Sequence, residues 1–176
     1  MRKLQLEELG RISPEEFRKK EKTQIILVLD NIRSGLNVGS AFRTADAFAL
    51  QGLYLCGITA QPPHREILKT AIGATESVDW KYFESVTEAA ALLKEQGYRI
   101  MGIEQTDESE PIQEVVIDPE EKYAIILGNE VRGISEEVLE MLDKAVEVPQ
   151  YGTKHSLNVS VCTGIVVWHF FSKMNF

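Results

Sequence analysis

Short apolar runs alternate with amphipathic stretches along most of this chain. Gln24-Ile25-Ile26-Leu27-Val28-Leu29 is an unbroken series of β-forming residues ending at Asp30, the pattern of a strand buried on both faces of a parallel sheet. After the loop Asn31 to Leu36, the stretch Asn37 to Leu50 sets Val38, Ala41, Phe42, Ala45 and Ala49 at helical spacing, which completes a strand, loop and helix unit. Further strands are predicted at Gly52–Cys56, Asp79–Phe83, Tyr98–Ile103, Tyr123–Leu127 and Ala145–Val148. Helices are predicted between them, near Glu66–Ala71, Thr87–Gln96 and Ser135–Leu142. Ser13-Pro14-Glu15-Glu16 reads as a helix start, with Ser as N-cap and Pro in the first turn, and Gly97 as a left-handed helix stop. The final helix, from about Leu157 to Lys173, is apolar nearly all round, so it must be covered by a core or by a second subunit. The order is α/β, a mostly parallel sheet flanked by helices.

Length and charge narrow this picture. A chain of 176 residues with 44% hydrophobic content supports one domain, here 23–176, preceded by a helical extension at 1–22. The most apolar tract, Val159 to Phe171, is shorter than the roughly 20 residues that span a bilayer, and Met1 to Gln5 lack a secretory pattern; a cytoplasmic setting with no membrane association is expected. Cys56 and Cys162 have no second Cys or His at a ligand spacing, so both are expected to be buried thiols, with no metal site. A net charge of −8 argues against a generally basic nucleic-acid-binding surface. The N-terminal segment nevertheless collects Arg2, Lys3, Arg11, Arg18, Lys19, Lys20 and Lys22 among five glutamates, as either a solvated helix or a basic arm.

Three junctions where strands give way to loops carry the candidate chemistry, because ligands of open parallel sheets bind outside the carboxyl ends of the strands. The first runs from Asp30 to Thr44, with Asn37 opening the helix, Arg43 almost two turns in, and Gly39 permitting close approach of another backbone. In the second, Gly128-Asn129-Glu130-Val131-Arg132-Gly133 follows a strand and leads to Ser135 as an N-cap. It matches neither a dinucleotide fingerprint nor a P-loop. The third, Val148-Pro149-Gln150-Tyr151-Gly152-Thr153-Lys154-His155-Ser156-Leu157-Asn158, delivers polar groups directly into the apolar helix. Taken alone, Ser156 there is a plain helix cap.

In this order the three segments resemble the motifs of the SpoU/TrmH family of RNA 2′-O-methyltransferases, within the SPOUT superfamily, over about Gln24 to Phe170. The resemblance rests on Asn37 with Arg43-Thr44, on Leu127-Gly128-Asn129-Glu130 with Gly133, and on Val148-Pro149 with Gly152 and Ser156-Leu157-Asn158-Val159-Ser160. It implies a C-terminal deep trefoil knot (the α/β knot), an exception to the rule that chains do not thread loops. It implies S-adenosyl-L-methionine as cofactor, held by Leu127, Gly128, Asn129, Gly133, Val148, Pro149, Ser156, Leu157 and Asn158. The implied catalytic set is Asn37, Arg43, Glu130, Ser156 and Asn158, and the implied assembly a homodimer paired through the knot and final helix.

Methyl transfer to a ribose oxygen needs a base or a stabiliser of the developing alkoxide. Family proposals make the first-motif arginine a base, yet neutralising a guanidinium at neutral pH costs about 7–9 kcal/mol. A cationic Arg43 that grips a phosphate and stabilises the alkoxide avoids that cost. Pyrimidine-C5 and amino methyltransferase motifs are absent, which leaves oxygen as the acceptor. His64 and His169 are expected to be structural, whereas Lys154 and His155 fall in a loop positioned to face RNA. Recognition within a single short domain favours tRNA over rRNA. Alternatives are a non-catalytic module that binds cofactor and RNA, and a flavodoxin-like nucleotide binder.

Overall fold

The computed structural model describes every residue except Arg11 and His155. Seven strands form one sheet in the order β3-β2-β1-β6-β4-β7-β5. Their ranges are β1 Thr23–Asp30, β2 Leu50–Cys56, β3 Trp80–Phe83, β4 Tyr98–Ile103, β5 Glu110–Pro111, β6 Lys122–Leu127 and β7 Lys144–Glu147. Every strand pair is parallel. The helices are α1 Pro14–Lys19, α2 Gly35–Ala47, α3 Arg65–Ala71, α4 Ala74–Ser77, α5 Val86–Glu95, α6 Glu136–Leu139 and α7 Val159–Asn175.

The unbroken apolar run of β1 is explained by helices on both faces. Ile25, Leu27 and Leu29 join the core cluster shared with Val38 and Phe42 of α2, Ile67 of α3, and Val166, Val167 and Phe170 of α7. Ile26 and Val28 point the other way, toward Ala89, Ala90 and Leu93 of α5 and Val138 of α6. Each fully buried aliphatic side chain contributes about 1.5–3 kcal/mol, so this central strand is held from two sides. Phe17 of α1 is buried in the first cluster, which fastens α1 to the sheet.

The differences from the sequence reading have local causes. Helix α2 begins at Gly35 rather than Asn37, because the Ser34 hydroxyl accepts the Asn37 N–H and acts as N-cap. The predicted Ser135–Leu142 helix shortens to α6: Asp143 bonds both backbone groups of Ile100, donating its N–H and accepting through Oδ2 at 2.7 Å, and so draws the chain into β7. Ser135 stands at the N-cap position of α6, but its hydroxyl donates to Asp30 and caps nothing. Asn158, not Ser156, caps α7 by accepting the Ser160 N–H at 2.9 Å. Gly97 adopts the expected left-handed conformation, with φ of 82°. Gly39 permits the expected close approach: a Cβ there would lie 2.3 Å from the Ile67 carbonyl oxygen of α3.

Candidate active site

The carboxyl ends of β4, β6 and β7 open into a cavity of about 540 Å³ lined by Ile103 and Glu104, the loop Gly128–Gly133, and Val148, Gln150, Ser156, Leu157, Asn158 and Cys162. A concave site of this size at the strand ends is of the small-molecule class. The sequence-predicted cofactor residues Leu127, Gly128, Asn129, Gly133, Val148, Ser156, Leu157 and Asn158 all line it, while Pro149 does not.

The loop after β6 is a pinched ring. Asn129 and Gly133 exchange backbone hydrogen bonds of 2.8 and 2.9 Å. The Asn129 side chain accepts the N–H groups of Val131 and Arg132 and donates to the Asn31 carbonyl at 2.7 Å. Gly128 is required by proximity alone, because a Cβ there would fall 2.1 Å from the Gly133 carbonyl carbon.

One hydrogen-bonded relay joins all three motif loops. Asn158 Nδ2 donates to Asn37 Oδ1 at 3.4 Å, and Asn37 Nδ2 donates to Glu130 Oε1 at 2.9 Å. The Glu130 carboxylate also accepts the N–H groups of Arg33 at 2.9 Å and Ser34 at 3.1 Å, at the start of α2, where negative charge is favoured. Burial alone would raise the Glu130 pKa, but hydrogen bonds from the Arg33 N–H, the Asn37 amide, its own backbone and the Ser34 N–H together outweigh burial and lower it. A lowered folded-state pKa means the link stabilises the protein above the ordinary carboxylate pKa of 4.5 and is lost as pH falls below it through the folded value. The melting temperature of Glu130→Gln should therefore lie below that of the wild type at about pH 7, with the gap narrowing as the pH is taken below 4.5. A gap that persists unchanged in acid would show that the charge of Glu130 does not carry the link.

Behind this relay lies a buried support that the sequence did not announce. Asp30 is fully buried at the end of β1, accepting the Ser135 N–H at 2.7 Å, the Ser135 hydroxyl at 3.1 Å and the Asn31 side-chain amide at 2.8 Å. Glu104 at the end of β4 is a second unannounced group, accepting the Ile134 and Gln105 N–H groups at 2.9 Å each. Its carboxylate abuts Gly133, where φ is 73°. The signal available in sequence was an acidic residue directly after the apolar runs of β1 and β4.

Arg43 is not brought to this cavity. It is exposed on α2 and lines a second cavity of about 550 Å³ with Ser40, Thr44, Phe48, Lys69, Thr70 and Gly164. The Cys162 thiol is pushed up to about 11, chiefly by burial, with the Glu104 charge adding to it, and Cys56 to about 12 by burial. Both thiols are thus protonated and unreactive at neutral pH. His64 accepts the Glu66 N–H at the start of α3, and His169 is half-buried on α7 with its pKa lowered by burial and by Lys173. Lys154 is exposed in the loop leading to α7, whereas His155 lies outside the described residues. Among the described residues there is no grouping of metal-ligating side chains, and no helix is long and apolar enough to cross a membrane.

An all-parallel α/β sheet, a cavity at its strand ends and three polar loops joined by one relay define an α/β protein built to hold a small molecule at its strand ends. The chain belongs to the SpoU rRNA Methylase family, whose pattern it matches over residues 24–168. It is 33% identical over 159 residues to the tRNA (guanosine(18)-2′-O)-methyltransferase of Aquifex aeolicus, covering 87% of this chain and 71% of that one. It is 31% identical over 143 residues to a 23S rRNA (guanosine-2′-O-)-methyltransferase of Neisseria meningitidis, covering 81% of this chain and 56% of that one. The crystal structure of the A. aeolicus TrmH/SpoU tRNA modifying enzyme superposes with a TM-score of 0.79 at 26% identity, covering 91% of this chain and 81% of that one. An AdoMet-bound rRNA methyltransferase from Sinorhizobium meliloti shares the fold at a TM-score of 0.78 and 23% identity, with 91% of this chain covering 60% of that one.

Proposed function

We propose that this chain transfers the methyl group of S-adenosylmethionine to a ribose 2′-hydroxyl of a structured RNA, acting in the cytoplasm as a homodimer, with tRNA favoured over rRNA. The observation that carries this reading is the Asn158–Asn37–Glu130 relay at the mouth of the strand-end cavity. Backbone groups of Gly128–Gly133, Val148 and Leu157 would hold the cofactor, with Pro149 shaping the adjoining turn, and Glu130 and Glu104 place negative charge beside the site of a sulfonium. The cofactor supplies an electrophilic methyl group. Asn37, Ser156 and Asn158 would orient the ribose, and Arg43, kept cationic, would stabilise the developing alkoxide as the 2′-hydroxyl proton passes to water and S-adenosylhomocysteine departs. The match to the tRNA enzyme runs longer than that to the rRNA enzyme, 159 residues against 143.

The knot belongs to the same proposal. It is supported by the insertion of β7 between β4 and β5 and by the return of α7 to pack beside α2. The dimer rests on α7, which carries no charged residue from Val159 to Phe171 and, beside its buried face, leaves Val161 52%, Ile165 40% and Trp168 52% exposed. A face without charge has no polar partner to recruit, so a second copy of itself is its natural cover, in an isologous pair. Such pairing also answers the isolation of Arg43: the arginine of one subunit serves the cofactor cavity of the other.

Labelled methyl transfer from S-adenosylmethionine to unmodified total tRNA and, separately, rRNA, followed by nucleoside analysis, tests the reading. A 2′-O-methylated nucleoside formed in tRNA is expected, and transfer to neither RNA would overturn it.

A further inference from the structure

We propose that Lys69 of α3 forms, with Arg43 of α2, a clamp for an RNA phosphodiester in the cavity between α2, α3 and α7. This deepens the reading above and rests on it. The two cations line the same 550 Å³ space, Arg43 from one helix and Lys69 from the next. Among the described residues neither forms an ion pair with a carboxylate. Their positions are fixed by close helix packing at Gly39, where only a hydrogen fits against Ile67 and Thr70.

The rest of the wall suits an anion. The hydroxyls of Ser40 and Thr70 both donate to the Leu36 carbonyl, at 2.9 and 2.8 Å, so their protons are engaged and the anion falls to Arg43 and Lys69, with no carboxylate in the lining to compete for them. Thr44 adds a hydroxyl without a protein partner among the described residues. On the α7 side the wall is Gly164, where a Cβ would meet nothing within 4 Å, which leaves the space open beside the helix.

A chain with net charge −8 repels polyanions at long range, so its RNA contacts must come from local cations freed of acidic partners. The 2′-oxygen neighbours the 3′-phosphate of the same nucleotide. A cation on that phosphate therefore fixes the ribose while Arg43 remains next to the reacting oxygen. Lys69 acts through the phosphate and is a positioning residue.

The test compares wild type, Lys69→Gln and Lys69→Arg, with Lys81→Gln as a surface control, in RNA binding across a KCl series and in methyl transfer to tRNA. Removing the cation from one phosphate should flatten the slope of log K against log salt by about 0.7–0.9. Lys69→Gln should show that flattening, with a KM for RNA raised about tenfold, a kcat near that of the wild type and unchanged affinity for S-adenosylmethionine. Lys69→Arg should restore the slope. A Lys69→Gln protein with the wild-type slope and KM would overturn the clamp while leaving the methyltransferase reading intact. A wild type that transfers no methyl group would overturn both.

Discussion

Arg43→Ala should bind S-adenosylmethionine as tightly as the wild type and transfer methyl groups at least about 100-fold more slowly, the usual effect of removing one group that stabilises a developing oxyanion. Cofactor binding should be spared because Arg43 is assigned to the ribose oxygen and belongs to none of the loops that line the strand-end cavity. Mixing subunits makes the same substitution a test of assembly. Glu130→Ala damages the strand-end cavity and leaves Arg43 untouched. If the arginine of one subunit serves the cavity of its partner, a heterodimer of Arg43→Ala and Glu130→Ala chains carries one site with both parts intact. Equal mixing with random exchange should then restore about a quarter of the wild-type activity, by the statistics of a two-fold dimer. Two inactive chains that stay inactive when mixed, with exchange verified, would place Arg43 and the cavity of its own subunit in one site. A pH–rate profile that shifts in Arg43→Lys would argue for the base role over the cationic one.

Asp30→Ala should be the most destabilising of these substitutions. The Asp30 carboxylate is fully buried and accepts from the Ser135 N–H, the Ser135 hydroxyl and the Asn31 amide, so truncation takes the acceptor from three donors at once. The expected cost is about 3–5 kcal/mol, which for a chain of this size lowers the melting temperature by roughly 6–20 °C. Asp30→Asn keeps the volume but turns one acceptor into a donor facing the Ser135 region, and should fall between the wild type and Asp30→Ala. Thermal unfolding followed by circular dichroism measures both. Because Asp30 ties the end of β1 to the exit of the Gly128–Gly133 loop, cofactor affinity should fall alongside stability. A fully stable Asp30→Ala protein would mean that the Ser135 backbone finds another acceptor at no cost.

Strand positions were legible because sheet burial imposes a pattern at every residue: all six strands anticipated from apolar runs are present, with ends differing by no more than two residues. Missed were β5, two residues long, and α4, four residues long, elements too short to carry a period. Helix starts were less legible than helix bodies. Ser34 and Asn37 are both sound caps by residue type, and the choice of Ser34 leaves the Asn37 side chain free for Glu130.

By itself, the sequence determined the parallel α/β architecture, the three motif loops and their residue types, because these follow from local pattern and from chemistry carried by side chains a few positions apart. Tertiary structure decided which of those groups meet. It joined Asn37, Glu130 and Asn158 across separations of 93 and 121 residues. It gave Asp30 and Glu104 to the support of one loop, and it turned Arg43 away toward Lys69. The reason is geometric: six positions along α2 turn Arg43 by about 120° relative to Asn37, and which neighbour waits on each side depends on how distant helices pack, which no local pattern encodes.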